Sequence, residues 1–398
     1  MQMDSACLCQ EDSSAPVALR VPSEVLSLIF SNLVIWPETC NPNIKQLDKT
    51  NLIFASLVHR TWTRTAQQAM WFALYISSRT EIKRMVDSKM FGLYPTVVLA
   101  WSSKTYSIGK PSNYQAFCPN PYIPEDIERL FLNKIWGVKI LHLDSIDYPL
   151  FNILACPGFA NVGFLDIYLK NEPPEDSEDR RQMATKLKDG VFAAPIASLC
   201  ISGKDPRTTS KILHAFSKKT IGGIRHLHLE ALEEQSIGFW KKFGSLEYLL
   251  LGVFCLNAPL DGLAECTRLR DVTYSIPCML RTKEPSLTFD KWLKALPRTV
   301  VTIGIHTLRS CHGCMQDVAQ LDLKTAVIDE RWPALRRIQC RDDFNGYDLW
   351  ALEHDGDKFK CPIETMCARD LKGSEHVPPF HATCYHWNGM KSLTMCNK

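Results

Sequence analysis

Cysteine and histidine carry the chemistry this chain could most readily perform. Cys311-His312-Gly313-Cys314 contains a Cys-x-x-Cys pair, and Cys340, Cys361, Cys367, His376, His381, Cys384 and His386 follow it. Zinc takes four such ligands, and Cys-x-x-Cys is a common half-site. The second half has no equally tight cysteine pair: Cys361 and Cys367 are six residues apart, and only His381 and Cys384 are three apart. His226-x-His228 places two imidazoles on one face of a strand, but two ligands do not make a site. The sixteen cysteines read as reduced thiols, many of them small buried residues, because no secretory signal precedes them. The expectation is no metal and no cofactor.

No catalytic motif stands out. The chain lacks a Gly-x-x-x-x-Gly-Lys phosphate loop, a Gly-x-Ser-x-Gly nucleophile turn and a His-Glu-x-x-His helix. A non-catalytic protein is expected. The formal net charge of +3 is too small to argue for nucleic acid or an anionic membrane. No run of about 18 or more apolar residues suggests a membrane span. Residues 1–17 are polar and acidic, lack the apolar stretch of a signal peptide, and read as a disordered leader. The expected location is intracellular, in cytoplasm, nucleus or both.

The elements that would position polar side chains recur along the chain. The pattern apolar-x-x-apolar-x-apolar appears at Val138/Leu141/Leu143, Val162/Leu165/Ile167, Ile196/Leu199/Ile201 and Ile224/Leu227/Leu229. It returns at Leu246/Leu249/Leu251, Leu269/Val272/Tyr274, Val300/Ile303/Ile305 and Leu335/Ile338/Cys340. The starts are 24, 34, 28, 22, 23, 31 and 35 residues apart, an irregular period near that of leucine-rich repeats. Trp71/Leu74/Ile76 and Thr96/Leu99/Trp101 fit more loosely. Each unit pairs a short strand with a return segment, and stacked neighbours bury the apolar face that no unit buries alone.

Several returns read as helices. Asp205-Pro206 caps residues 211–218, with Ile212, Leu213 and Phe216 inward. Phe289, Trp292, Leu293 and Leu296 fall on one helical face before Pro297, and Ile237, Trp240 and Phe243 mark another helix. The charged run 171–181 reads as a solvated loop. The Asn that the leucine-rich consensus places after the last Leu is replaced by Ile146, Lys170, Lys204 and Leu232, so another group must tie the turns together. An ordinary α/β domain with a parallel sheet is the alternative. On the repeat reading, strand residues facing away from the core become candidates for a partner surface: His142, Asp166, Tyr168, His226, His228, Glu230, Tyr248 and Arg337, with Asp144, Asp271, His306 and Arg341 beside them.

The N-terminal stretch Val21 to Trp71 has its own signature. It opens Val21-Pro22-Ser23-Glu24, continues through Leu57-Val58-His59-Arg60-Thr61-Trp62 and closes on Trp71. Pro22 suits a first helical position and Glu24 the first turn. Val25, Leu26, Ile29 and Leu33 form an apolar stripe, which Leu28 and Phe30 widen; Leu57, Val58 and Trp62 mark a second helix, and Ala66, Ala69 and Met70 a third. Such a small module carries more apolar surface than its own core needs, which suggests completion by a partner. The plain alternative is a helical cap on a larger domain.

This stretch resembles the F-box, in particular the divergent fungal type. The family motif is a Leu-Pro-x-Glu opening, a Leu-Val-x-Arg-x-Trp centre and a trailing Trp. Val21 replaces the opening Leu, and residues 34–51 form a longer connection than most F-boxes have. The resemblance implies docking on a Skp-type adaptor, and through it on a cullin scaffold, by Pro22, Val25, Leu26, Ile29, Leu33, Leu57, Val58 and Trp62. It implies a non-catalytic substrate receptor of a ubiquitin ligase, with an unidentified protein substrate. A leucine-rich-repeat scaffold acting outside the ligase is the other reading. The expected fold is α/β: a disordered leader (1–17), a three-helix F-box (18–78), a right-handed leucine-rich-repeat-like solenoid (79–340), and a C-terminal cap and tail (341–398).

Overall fold

A computed structural model describes residues 21–33, 49–76, 79–102, 126–144, 156–168, 194–203, 206–232, 238–255, 260, 262–276, 292–307, 331–342, 347–355 and 358–360. The leader, most of the 34–51 connection, the charged run 171–181 and the cysteine and histidine positions 311–314 and 361–386 lie outside the described residues. So do the side chains of Leu33, Asp144, Ile305, His306, Cys340 and Arg341. The chain divides into two units between Leu74 and Tyr75.

Three helices build the first unit: α1 (Ser23–Leu33), α2 (Thr50–Val58) and α3 (Arg60–Phe72). Pro22 sits just ahead of α1 rather than at its first position, since its carbonyl accepts from Leu26 N at 3.0 Å. Leu26 and Phe30, one helical turn apart, are the buried pair of α1. Phe30 meets Trp62 edge-on at 5.8 Å, and Leu52, Ala55 and Ala66 complete a small core. His59 is extended (φ −155°, ψ 143°) and separates α2 from α3. Trp62 therefore belongs to the third helix with Ala66, Ala69 and Met70, not to the second with Leu57 and Val58. The Thr63 hydroxyl donates to the Ser56 carbonyl at 2.8 Å and closes this elbow.

The second unit is built on a sheet whose strands are hydrogen-bonded in chain order. After β1 (Ala73–Ile76), which spans the division, come α4 (Arg79–Asp87), β2 (Val98–Ser102), α5 (Asp126–Lys134), β3 (Ile140–Asp144), β4 (Phe164–Tyr168) and β5 (Ser198–Ser202). Then follow α6 (Pro206–Ala215), α7 (Lys218–Gly223), β6 (His226–Ala231), β7 (Tyr248–Phe254), β8 (Asp271–Ile276), β9 (Thr302–Thr307) and β10 (Arg337–Asp342). Each neighbouring pair from β2 to β10 is parallel. β11 (Tyr347–Asp355) and β12 (Lys358–Lys360) reverse direction and pair antiparallel, which ends the parallel run where the repeat pattern fades.

The apolar pattern explains this register. Leu99, Leu141, Leu165, Leu199, Leu227, Leu249, Val272, Ile303 and Ile338 are mutual partners across nine strands and are all buried. Two residues before each of the first eight, one carbonyl accepts from two successive amides of the next turn. Lys139 O takes Gly163 N and Phe164 N, Gly163 O takes Ala197 N and Ser198 N, and the bridge recurs down to Val301 O with Arg336 N and Arg337 N. Hydroxyls and thiols also reach back to carbonyls of the preceding turn. Thr220 donates to Ala194 O, Cys255 to Leu229 O, Cys266 to Trp240 O and Thr299 to Leu269 O. Burial raises the Cys255 thiol to about 12 and the Cys266 thiol to about 11, so both stay protonated donors.

The returns depart from expectation in detail. α6 starts at Pro206, five residues ahead of the expected helix, and ends at Ala215. It buries Ile212 and Leu213 as expected, and Phe216, just past its end, is buried too. Ser217 interrupts it and caps α7, accepting from Thr220 N at 3.0 Å. The segment containing Trp240 is a 3-10 turn, Trp240–Lys242, not an α-helix; its neighbours Phe239 and Phe243 pack on Trp240 at 5.2 and 5.9 Å. Trp292 and Leu293 are buried on a helical turn at 292–295, and Trp292 stacks on Tyr274 at 5.0 Å.

Candidate functional site

Two surfaces carry the functional candidates, one on each unit. On the first unit, the helices bury one apolar face and expose another. In α1, Val25, Leu28 and Ile29 lie at i, i+3 and i+4, opposite Leu26 and Phe30, and each is at least 44% exposed. In α2, Ile53, Phe54, Leu57 and Val58 form a second exposed stripe, reaching 63% at Phe54 and 76% at Leu57. A helix apolar all round is normally buried on every side. Here α2 places only Leu52 and Ala55 in the core. Seven of the eleven large exposed apolar side chains among the described residues lie on these two helices, so the exposure is concentrated rather than scattered.

The expected adaptor set divides accordingly. Pro22, Val25, Ile29, Leu57 and Val58 are exposed. Leu26 is a core residue, 4% exposed, and Trp62 is half-buried against Phe30. Leu26 lacks the free surface that direct docking needs, so its contribution would be to hold the helices in place. Leu33 has no described side chain. Ile53 and Phe54 are exposed additions that the motif did not single out. Their signal was present, since Leu-Ile-Phe-Ala-Ser-Leu-Val has too many apolar residues for one helical face.

On the second unit, alternation along the strands sends a second set of side chains to the opposite side of the sheet from the leucine row. One in-register row is His142, Asp166, Cys200 and His228 on β3 to β6. His142 Nδ1 lies 3.1 Å from Asp166 Oδ2, and Cys200 Sγ lies 3.0 Å from His228 Nδ1. Burial first, then the neighbouring Asp166 charge, pushes the Cys200 thiol well up. Burial and that charge both favour the protonated thiol. The row spans three strand spacings, on the order of 14 Å, too long for its ends to share an ion. Among the described residues no cluster of three or more His, Cys, Asp or Glu could hold a metal.

A second row contains Ser198, His226, Tyr248, Asp271, Thr302 and Arg337 on β5 to β10. Ser198 Oγ and His226 Nδ1 are 2.8 Å apart, and the His226 and Tyr248 rings are 4.7 Å apart. Burial lowers the His226 pKa and raises those of Tyr248 and Asp271. Of the expected surface residues, Tyr168 and His226 are exposed, while His142, Asp166, His228, Glu230, Tyr248 and Arg337 are half-buried. The sheet thus brings the expected residues onto one side, but Cys200, Ala100 and Thr273 on that side are buried, so it is less open than strand alternation alone suggests. Glu230 lies at a register shift between β6 and β7. Gly252 permits it, because a Cβ there would stand 2.5 Å from Glu230 Cα.

Among the described residues no helix is long and apolar enough to cross a membrane. No family model matches the chain, and no curated protein is significantly similar to it.

Proposed function

We propose that this chain is the substrate-recognition subunit of a Skp–cullin–F-box ubiquitin ligase. On this reading α1 to α3 form an F-box that docks on the Skp-type adaptor inside the cell. The strands and returns from β2 to β10 form a right-handed leucine-rich-repeat-like solenoid that holds a protein substrate. The observation that carries the reading is the paired apolar stripe Val25/Leu28/Ile29 on α1 and Ile53/Phe54/Leu57/Val58 on α2, exposed in the three-helix unit that contains the Pro-x-Glu and Leu-Val-x-Arg-x-Trp residues. The unbroken chain-order sheet and its carbonyl bridges support a stacked array for the remainder.

The chain needs no chemistry of its own in this role. It would act by proximity, raising the effective concentration of substrate lysines near a ubiquitin-loaded enzyme held elsewhere in the complex. Reconstitution with purified adaptor and cullin tests the assignment. A receptor enters one assembly containing all three proteins. A chain that binds adaptor but never joins cullin is instead a scaffold acting outside the ligase.

A further inference from the structure

The turns leading into β8, β9 and β10 carry four exposed arginines: Arg268 and Arg270, then Arg298, then Arg336. Of these, Arg270 and Arg336 lie in one backbone row. Arg270 O accepts from Val301 N at 2.7 Å and Thr302 N at 3.0 Å, and Val301 O accepts from Arg336 N at 2.8 Å. Arg270 and Arg336 are therefore two strand steps apart along one edge of the sheet, on the order of 10 Å.

The fold does not require arginine at these positions. The carbonyl makes the bridge, and Val97, Lys139, Gly163 and Ala197 serve equally in earlier turns. The place of Arg268 is taken by Gly137, Asn161 and Ser245 in other repeats. Among the described residues the edge carries more arginines than acids, although Asp271 and Glu247 both lie beside Arg270. Glu265 is engaged by Lys241 at 2.9 Å. Asp271 is half-buried and bonded to Thr302. Glu247 lies one turn back, between Arg225 and Arg270 in the same row. Guanidinium groups are planar forks that match carboxylates two bonds at a time.

We propose that this arginine edge binds an Asp/Glu-rich segment of a protein partner, with carboxylates paired to Arg268, Arg270, Arg298 and Arg336. That the segment belongs to a ligase substrate rests on the function proposed above; the binding itself does not.

The test is fluorescence anisotropy of the full chain with labelled octaglutamate, octaglutamine and an oligothymidylate of similar charge. Octaglutamate binds, octaglutamine does not, and added salt weakens the complex. The R268E/R270E/R336E variant loses at least about tenfold in affinity, ~1.4 kcal/mol, while its circular dichroism and adaptor co-elution match the wild type. Should that variant misfold, R270Q/R336Q serves with the same readout. Equal binding of octaglutamate and octaglutamine, an unaffected variant, or tighter binding of the oligothymidylate overturns the proposal. A chain that binds octaglutamate but not adaptor removes the ligase reading and leaves the arginine edge standing.

Discussion

Lys49 precedes α2 and its amine donates to the carbonyls of Met70 and Ala73 at the end of α3. Burial nevertheless lowers its pKa from 10.5 to about 8. Between these values the unfolded chain holds a proton that the folded chain has released, so this group makes stability rise with pH. Its contribution is fully present above 10.5 and is lost as pH falls through about 8. The Lys49→Met variant should show a flatter rise in thermal midpoint than wild type across that window, measured by far-ultraviolet circular dichroism. Parallel pH curves would contradict the assignment. The thiols give a second residue-scale prediction. Cys200, Cys255 and Cys266 are buried with raised pKa values, so at pH 8 iodoacetamide should spare them in the native chain and modify them after denaturation. Mass spectrometry would read this directly, and rapid native alkylation of Cys255 would exclude its bond to Leu229 O.

At the scale of elements, α1 and α2 separate a buried apolar face from an exposed one. Leu26→Ala should destabilise the first unit by about 2–5 kcal/mol, since it empties a packed core position. Phe54→Glu with Leu57→Glu should leave the thermal midpoint nearly unchanged, because both side chains are exposed, yet abolish the proposed adaptor docking, in which buried anchors would contribute ~2 kcal/mol or more each. In the sheet, Gly252→Ala pushes a Cβ against Glu230 and should cost about 1–3 kcal/mol in a denaturant titration. The strands were legible in the sequence because their apolar residues keep a fixed three-and-two spacing that the register reproduces, as at Leu141, Leu165 and Leu199. The apportioning of α1 and α2 was not. Periodicity identifies an inward face by its polar opposite, and α2 has apolar residues on both. The thiol and hydroxyl bonds between turns were equally hidden, because Cys255 reaches Leu229 only after a shift in register between β6 and β7.

At the scale of the whole molecule, the two units carry different kinds of surface. The first exposes apolar helix faces beside a very small core, and the second displays polar rows and an arginine edge on a sheet with a continuous leucine row. That contrast fits a chain that is held by one partner and holds another. Co-expression of the full chain with a Skp-type adaptor, followed by size-exclusion chromatography beside the Phe54→Glu/Leu57→Glu variant, tests the docking claim most directly. A one-to-one complex is expected for the wild type and none for the folded variant. Failure of the wild type to co-elute, or equal co-elution of both, would show that the exposed faces of α1 and α2 are not an adaptor surface.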